Sequence, residues 1–197
     1  MGNIGTPLFT MPDGNCAYNS ISILLYGTDY YAPHLRVLTC IKLCQKAAEF
    51  QAHPDANEIG FLSPIYEDAC LASARDKDWG CAWTLMALAD VVGQNIKTIY
   101  PPVHGKDTLM YRTMNTTFRP ISSTPSRTLT VMWTHTLDYD DYMVAHKNNP
   151  WQPNHFVAMN ITEKYSNSRS INQLRPKSSS SVLKSLQNIC SRSSSSV

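Results

Sequence analysis

The chain has 197 residues, 43% hydrophobic and 16% charged, with a formal net charge of +2. These are globular values, and the length suffices for one domain with its own core. No apolar run is long enough to span a bilayer and no basic-then-apolar leader opens the chain, so neither a transmembrane helix nor a signal peptide is expected. The charge is uneven. Residues 1–165 hold 12 Lys/Arg against 15 Asp/Glu, a balance of −3, and residues 166–197 hold five basic residues and no acid, so the two parts sum to +2.

In chain order, Met1-Gly2-Asn3-Ile4-Gly5-Thr6 fits the short N-myristoylation pattern, though a flexible lead-in is the preferred reading. Pro12-Asp13-Gly14-Asn15 is turn chemistry: Pro presets φ, Gly and Asn tolerate positive φ, and Asp bonds local backbone. Behind it Ala17, Tyr18, Ile21, Leu24 and Leu25 recur at helical spacing, and Gly27 closes the run. Cys16 therefore belongs in the first turn of a helix. Free N–H groups and the positive end of the macrodipole favour a thiolate there, and the N–H groups from Asp13 to Cys16 offer a cradle for an oxyanion.

Pro33 suits the start of a second helix, with Leu35, Leu38, Ile41 and Leu43/Cys44 as its buried face and Arg36, Lys42 and Lys46 mostly elsewhere. His53-Pro54-Asp55 breaks that pattern. Residues 59–76 suggest one short helix after Ser63-Pro64. Trp79 to Val92 predicts a buried helix with Asp78 as N-cap, and the spacing of Trp79 and Trp83 argues for core packing of both. Residues 95–100 alternate as a strand that Pro101-Pro102 ends. Residues 103–127 are loop-rich, with a short strand at 108–111. A strand follows over 128–133, an acidic, Tyr-rich surface loop over 137–142, and a last strand over 155–161. From about 166 the chain is low-complexity, with 13 Ser in 32 residues and a faint stripe of Leu183, Leu186 and Ile189.

Six Cys (16, 40, 44, 70, 81 and 190) include no C-x-x-C pair. A zinc ribbon is not expected, and the compartment is read as reducing. Neither a metal nor a cofactor is expected. Of six His, only His155 opens a predicted strand; the others lie in loops or at element edges.

Asp13-Gly14-Asn15-Cys16 before an apolar helix, Asp78-Trp79-Gly80 opening a second one, and the late His155-Phe156 pair within Trp151-Gln152-Pro153-Asn154-His155-Phe156 together resemble the ovarian-tumour (OTU) family of cysteine peptidases, over about residues 8–162. Ile99-Tyr100-Pro101 and the Trp-x-Pro-Asn-His-Phe block resemble more narrowly the OTU-like domains of vertnin and of transposon-derived proteins.

The resemblance implies an α+β fold with a small twisted sheet between helical layers, here residues 1–165, ahead of a Ser-rich basic tail, 166–197. It implies a Cys16 nucleophile, His155 as general base, Gly14 and Asn15 shaping the oxyanion turn, and hydrolysis of the (iso)peptide bond after the C-terminus of ubiquitin or a ubiquitin-like modifier. Many members carry a polar residue two after the His; here that position is Val157. Asp13 is then the expected third member, and Trp151 and Asn154 are candidate cleft walls. The alternative implied by Val157 is a degenerate module that binds ubiquitin or another protein. A monomer in the cytoplasm or nucleus is expected, with no nucleic-acid or membrane partner for the domain.

Overall fold

The computed structural model describes residues 5–56, 65–103, 105–106, 108–147 and 149–161. The Gly2 pattern, the 165/166 domain boundary, the Ser-rich tail with Leu183, Leu186 and Ile189, and Phe61 and Leu62 of the 59–76 segment lie outside the described residues.

Strand β1 (Thr6–Leu8) leads through the turn to helix α1 (Cys16–Tyr26), followed by α2 (Ala32–Gln45), α3 (Ala47–Gln51), α4 (Tyr66–Ala74) and α5 (Ala82–Val92). Then come β2 (Asn95–Ile99), α6 (Leu109–Met114), β3 (Thr117–Phe118), β4 (Thr128–Thr134), α7 (Tyr139–Ala145) and β5 (His155–Asn160). The five strands form one mixed sheet in the order β1-β5-β4-β2-β3, antiparallel except for the parallel β2–β4 pair. The mixed α/β class and small sheet expected from the sequence are what the chain adopts. No helix among the described residues is long and apolar enough to cross a membrane.

Register explains how the core is divided. Val131 pairs with Ala158 and Trp133 with Phe156 in the β4–β5 ladder, and Ile96 pairs with Leu129 across β2–β4. Side chains alternate along a strand, so these residues share one face. Ile96, Leu129, Val131 and Phe156 join Ala17, Tyr18, Ile21, Leu35, Leu43 and most of α5 in one buried cluster. Helix α1 packs on β5 and β4, α5 on β2 and β3, and α2 spans α1, α4 and α5. A second, smaller cluster gathers Tyr100, Met114, Tyr142 and Trp151.

Helix α1 begins and ends where the turn and Gly27 predict, with Gly27 at φ 76° and its N–H bonded to Ile23 O at 2.9 Å. Other expectations are corrected. Helix α5 starts at Ala82 with Cys81, not Asp78, at its N-cap, where Thr84 Oγ1 accepts from Cys81 N–H. Trp83 is buried as expected, but Trp79 precedes the helix and is 55% exposed. The predicted strand at 108–111 is helix α6, because Thr108 caps it by accepting from Tyr111 N–H. The acidic loop at 137–142 is largely helix α7, capped the same way by Asp138. Ile41, expected inside, is exposed, and Arg36, expected outside, is 5% exposed.

Leu85 is fully buried on α5 between the sheet and α2. Leu85→Ala is expected to lower the unfolding free energy by about 2–5 kcal/mol in urea titration. A loss below about 1 kcal/mol would contradict a close-packed core at this point.

Candidate functional site

The site is built on the turn before α1. Gly14 sits at φ 81°, a left-handed conformation that glycine adopts without strain, and a Cβ placed there would come within 1.8 Å of Lys77 O. The 75–78 segment thus presses directly on the turn. Asp13 Oδ1 accepts from Asn15 N–H at 3.0 Å and from the Asn19 side-chain amide at 3.1 Å. No side chain caps α1, so the N–H groups of its first turn are left to another acceptor.

Arg36, on α2, holds this turn. Its Nε donates to Asn15 Oδ1 at 2.7 Å; Nη1 donates to Ala72 O at 3.0 Å and Arg75 O at 2.7 Å; Nη2 donates to Gly14 O at 3.1 Å and Asp78 O at 2.7 Å. A guanidinium has five N–H donors, and five oxygens meet them. Its carbon also lies 4.5 Å from the centroid of the Tyr18 ring. Asn15, so held at its oxygen, donates its amide to Asp76 at 3.0 Å.

Cys16 is buried at the start of α1. Burial pushes its thiol above the ordinary value of 9.0, against the Phe156 and Ala17 main chain, which favour the thiolate, while Asp13 adds to the rise. Phe156 follows His155 on β5, so Cys16 lies against the strand that carries the imidazole, and among the described residues no hydrogen bond joins Cys16 to His155. The His155 ring is buried, and Nε2 lies 3.1 Å from Thr10 O. That carbonyl can only accept, so Nε2 carries the proton and Nδ1 is the free lone pair. Nδ1 is buried with no hydrogen-bond partner. Burial pushes the imidazole below 6.5, opposed by the Thr10 main chain and Asp13. Burial thus favours the neutral form of both groups.

Among the described residues no hydrogen bond joins Asp13 to His155, and the Asp13 carboxylate serves the turn. Val157 lies two residues on from His155, pairing with Met132, and offers no polar atom. The Thr10 carbonyl occupies the orienting role at Nε2. Thr10 is itself tied down: its Oγ1 donates to Leu8 O at 3.3 Å and accepts from Ala158 N–H at 3.3 Å, with Ser20 Oγ at 3.4 Å. Trp151 is buried against Tyr100, ring centroids 5.7 Å apart. Asn154 accepts from Thr136 N–H at 2.9 Å and donates to Thr136 Oγ1 at 3.1 Å, closing the end of the β4–β5 hairpin.

A cavity of about 280 Å³ is lined by Trp79, Gly80, Met114, Phe118, Trp133 and Pro153 among others. Cys16 and His155 do not line it, but its Gly80 wall approaches the helix that Cys16 opens, where a Cβ on Gly80 would meet Ala17 Cβ at 3.4 Å. Thr98 Oγ1 and Trp133 Nε1 both donate to Met114 O, so these two lining polar groups are already satisfied and the cavity suits an apolar side chain. Among the described residues no group of His, Cys, Asp or Glu is arranged to hold a metal ion.

Two groups that shape the candidate site, Arg36 and the Thr10 carbonyl, are marked unequally by the sequence. Arg36 carries a periodic signal, since Ala32, Arg36, Thr39 and Leu43 are spaced as one helical face and all are buried. The Thr10 carbonyl is main chain and has no side-chain signature.

A family model described as "Vertnin, OTU domain" matches residues 7–61 and 60–134, which include Cys16 and Arg36 and stop short of β5. No curated protein matches the chain. Among solved structures the chain is similar to the OTU domain of OTUD1, at 17% identity and a TM-score of 0.47 over 77% of this chain and 83% of that one. It is similar to the viral OTU domain protease from Dera Ghazi Khan virus, at 14% and 0.49 over 81% and 82%. It is also similar to the Hazara virus OTU solved bound to ubiquitin, at 16% and 0.44 over 79% and 80%.

Removing Arg36 strands the carbonyls it serves. Arg36→Met is expected to destabilise the fold by about 3–5 kcal/mol in urea titration, with Arg36→Lys recovering little because an ammonium cannot reach five acceptors. Full stability in Arg36→Met would contradict the clamp. A neutral resting pair also predicts how Cys16 titrates. Its alkylation by iodoacetamide, followed on the Cys16 peptide, should be slow at neutral pH and rise with one inflection above 9.0. A fast rate persisting into acid would instead reveal a thiolate–imidazolium pair.

Proposed function

We propose that this chain, which belongs to the vertnin OTU-domain family, is a thiol-dependent peptidase. It cleaves the peptide or isopeptide bond that follows the C-terminus of ubiquitin or a ubiquitin-like modifier. The observation that carries this reading is the buried, unpartnered Nδ1 of His155, oriented through Nε2 by the Thr10 carbonyl, at the strand end that meets Cys16. An acceptor kept dry and without a partner is free to take the Cys16 proton once substrate draws thiol and imidazole into hydrogen-bond reach.

In this reading the proton moves from Cys16 Sγ to His155 Nδ1 as the substrate carbonyl arrives, and the sulfur attacks. The imidazolium that forms is stabilised by the Thr10 carbonyl at Nε2, the part a carboxylate plays in other triads. The tetrahedral oxyanion falls to the uncapped N–H groups at the start of α1, shaped by Gly14 and Asn15. His155 then returns the proton to the leaving amine, and water releases the acyl group. The apolar cavity beside Gly80 receives a substrate side chain. Five free thiols among the described residues support a reducing compartment, cytoplasm or nucleus, and the protein acts as a monomer.

A second reading is a domain that binds the modifier without cleaving it. Val157 favours it, as does burial that pushes both reacting groups toward their neutral forms. A ubiquitin probe with a C-terminal electrophile separates the two. Peptidase chemistry predicts an adduct on Cys16, absent in Cys16→Ala and slowed at least about 100-fold in His155→Ala. Tight ubiquitin binding with no adduct in the folded wild type would establish the second reading instead.

A further inference from the structure

The cavity beside Gly80 belongs to the site already described, and the aromatic group of His135, Tyr142 and His146 lacks a third ligand-type residue. A seam of thiols between α2 and α4 carries more. Two bonds fix the pairing of these helices: Tyr66 Oη at the start of α4 donates to Leu43 O near the end of α2 at 2.8 Å, and Arg36 near the start of α2 donates to Ala72 O at the end of α4. The helices therefore run antiparallel. Cys70, one turn past Tyr66, falls level with residues about one turn before Leu43. Cys40 stands at about that level on α2, and Cys44 one turn beyond it. All three are free; Cys44 is exposed and the other two half-buried. Cys44 lies close enough to both to influence their titration.

We propose that Cys44 and Cys70 are an oxidation site, closing a disulfide between α2 and α4 in response to hydroperoxides. The exposed Cys44 sulfur attacks the peroxide, the O–O bond breaks, and an alcohol or water leaves with the formation of Cys44 sulfenic acid. The Cys70 sulfur then attacks the sulfenic sulfur, and the hydroxyl departs as water with the thiol proton. Two thiols lose two electrons and the peroxide gains both. Burial and the neighbouring sulfurs push Cys70 to about 11, and burial lifts Cys40 as well. Cys44 is the exposed thiol of the three and the first that a peroxide from solution meets, which leaves the half-buried Cys70 as the resolving thiol.

Cys40 is not the partner. Residues four apart on a helix keep their Cβ atoms about 5–6 Å apart, beyond the roughly 3.5–4.5 Å a disulfide needs. A metal is not the occupant either, since no such group among the described residues has ligand geometry. The bond would staple the helix pair near its Leu43–Tyr66 end, on the same helices whose contact through Arg36 holds the turn before Cys16.

The test uses the full chain and no substrate, so its outcome is separate from that of the peptidase reading. The protein is titrated with hydrogen peroxide, quenched with an alkylating agent and mapped by non-reducing peptide mass spectrometry. The expected product is a Cys44–Cys70 cross-linked peptide, reversed by dithiothreitol, lost in Cys44→Ser and Cys70→Ser, and kept in Cys40→Ser and Cys16→Ser. The oxidised protein should also melt a few degrees higher than the reduced one. A Cys40–Cys44 product would overturn the proposal. So would Cys44 driven to sulfinic acid while Cys70 stays alkylatable, or a cross-link from either residue to another cysteine.

Discussion

One buried guanidinium sets the geometry that the rest of the site inherits. Arg36 gives all five of its donors to oxygens of two segments that are far apart in sequence, Gly14–Asn15 and 72–78. Four of the five acceptors are main-chain carbonyls, which carry no formal charge, so the clamp is a hydrogen-bonding device more than an ion pair. Buried carbonyls without donors are costly, and the same side chain satisfies four at once. The result is a turn that cannot drift: Gly14 is pressed by Lys77 from one side and gripped through its own carbonyl from the other.

The electrostatics of the site follow from where that turn places Cys16. A helix N-terminus favours a thiolate by about 0.3–1 kcal/mol, up to about 2 in sheltered geometry. Removing a thiolate from water opposes it by several kcal/mol, and burial is the larger influence on both Cys16 and His155. Burial thus favours a neutral thiol and a neutral imidazole, and in the proposed peptidase the two become charged only during reaction. Such a site needs its base correctly oriented beforehand, because no ion pair aligns it. The Thr10 carbonyl does this from main chain fixed by Leu8, Ser20 and Ala158, which is how position 157 can be Val without leaving the ring free to turn.

Much of this was legible in the sequence, and the gaps have physical causes. Periodicity and turn chemistry located α1, its Gly27 stop, the buried face of Trp83 and the strands at 95, 128 and 155, because local preference and tertiary packing agree there. Helices α6 and α7 were read as a strand and a loop. Each is short and polar, and a single Thr108 or Asp138 cap outweighs composition. Trp79 was placed inside because its spacing to Trp83 is helical, yet α5 starts only at Ala82. Arg36 was placed outside on charge alone, although Ala32, Arg36, Thr39 and Leu43 mark a buried face. Closeness in the chain to Cys16 points to Asp13 as the partner of His155, whereas the atom that meets the ring is the Thr10 carbonyl, which no side-chain pattern reveals.

A base held by the Thr10 carbonyl requires a neutral His155 with its proton on Nε2 and its lone pair on Nδ1. Nitrogen-15 NMR of the imidazole in the full chain at neutral pH reads this directly. Nε2 should resonate as a protonated, pyrrole-type nitrogen and Nδ1 as an unprotonated, pyridine-type one, unchanged in Asp13→Asn. The opposite tautomer, or a doubly protonated ring, would contradict the Thr10-held base and the neutral pair with it.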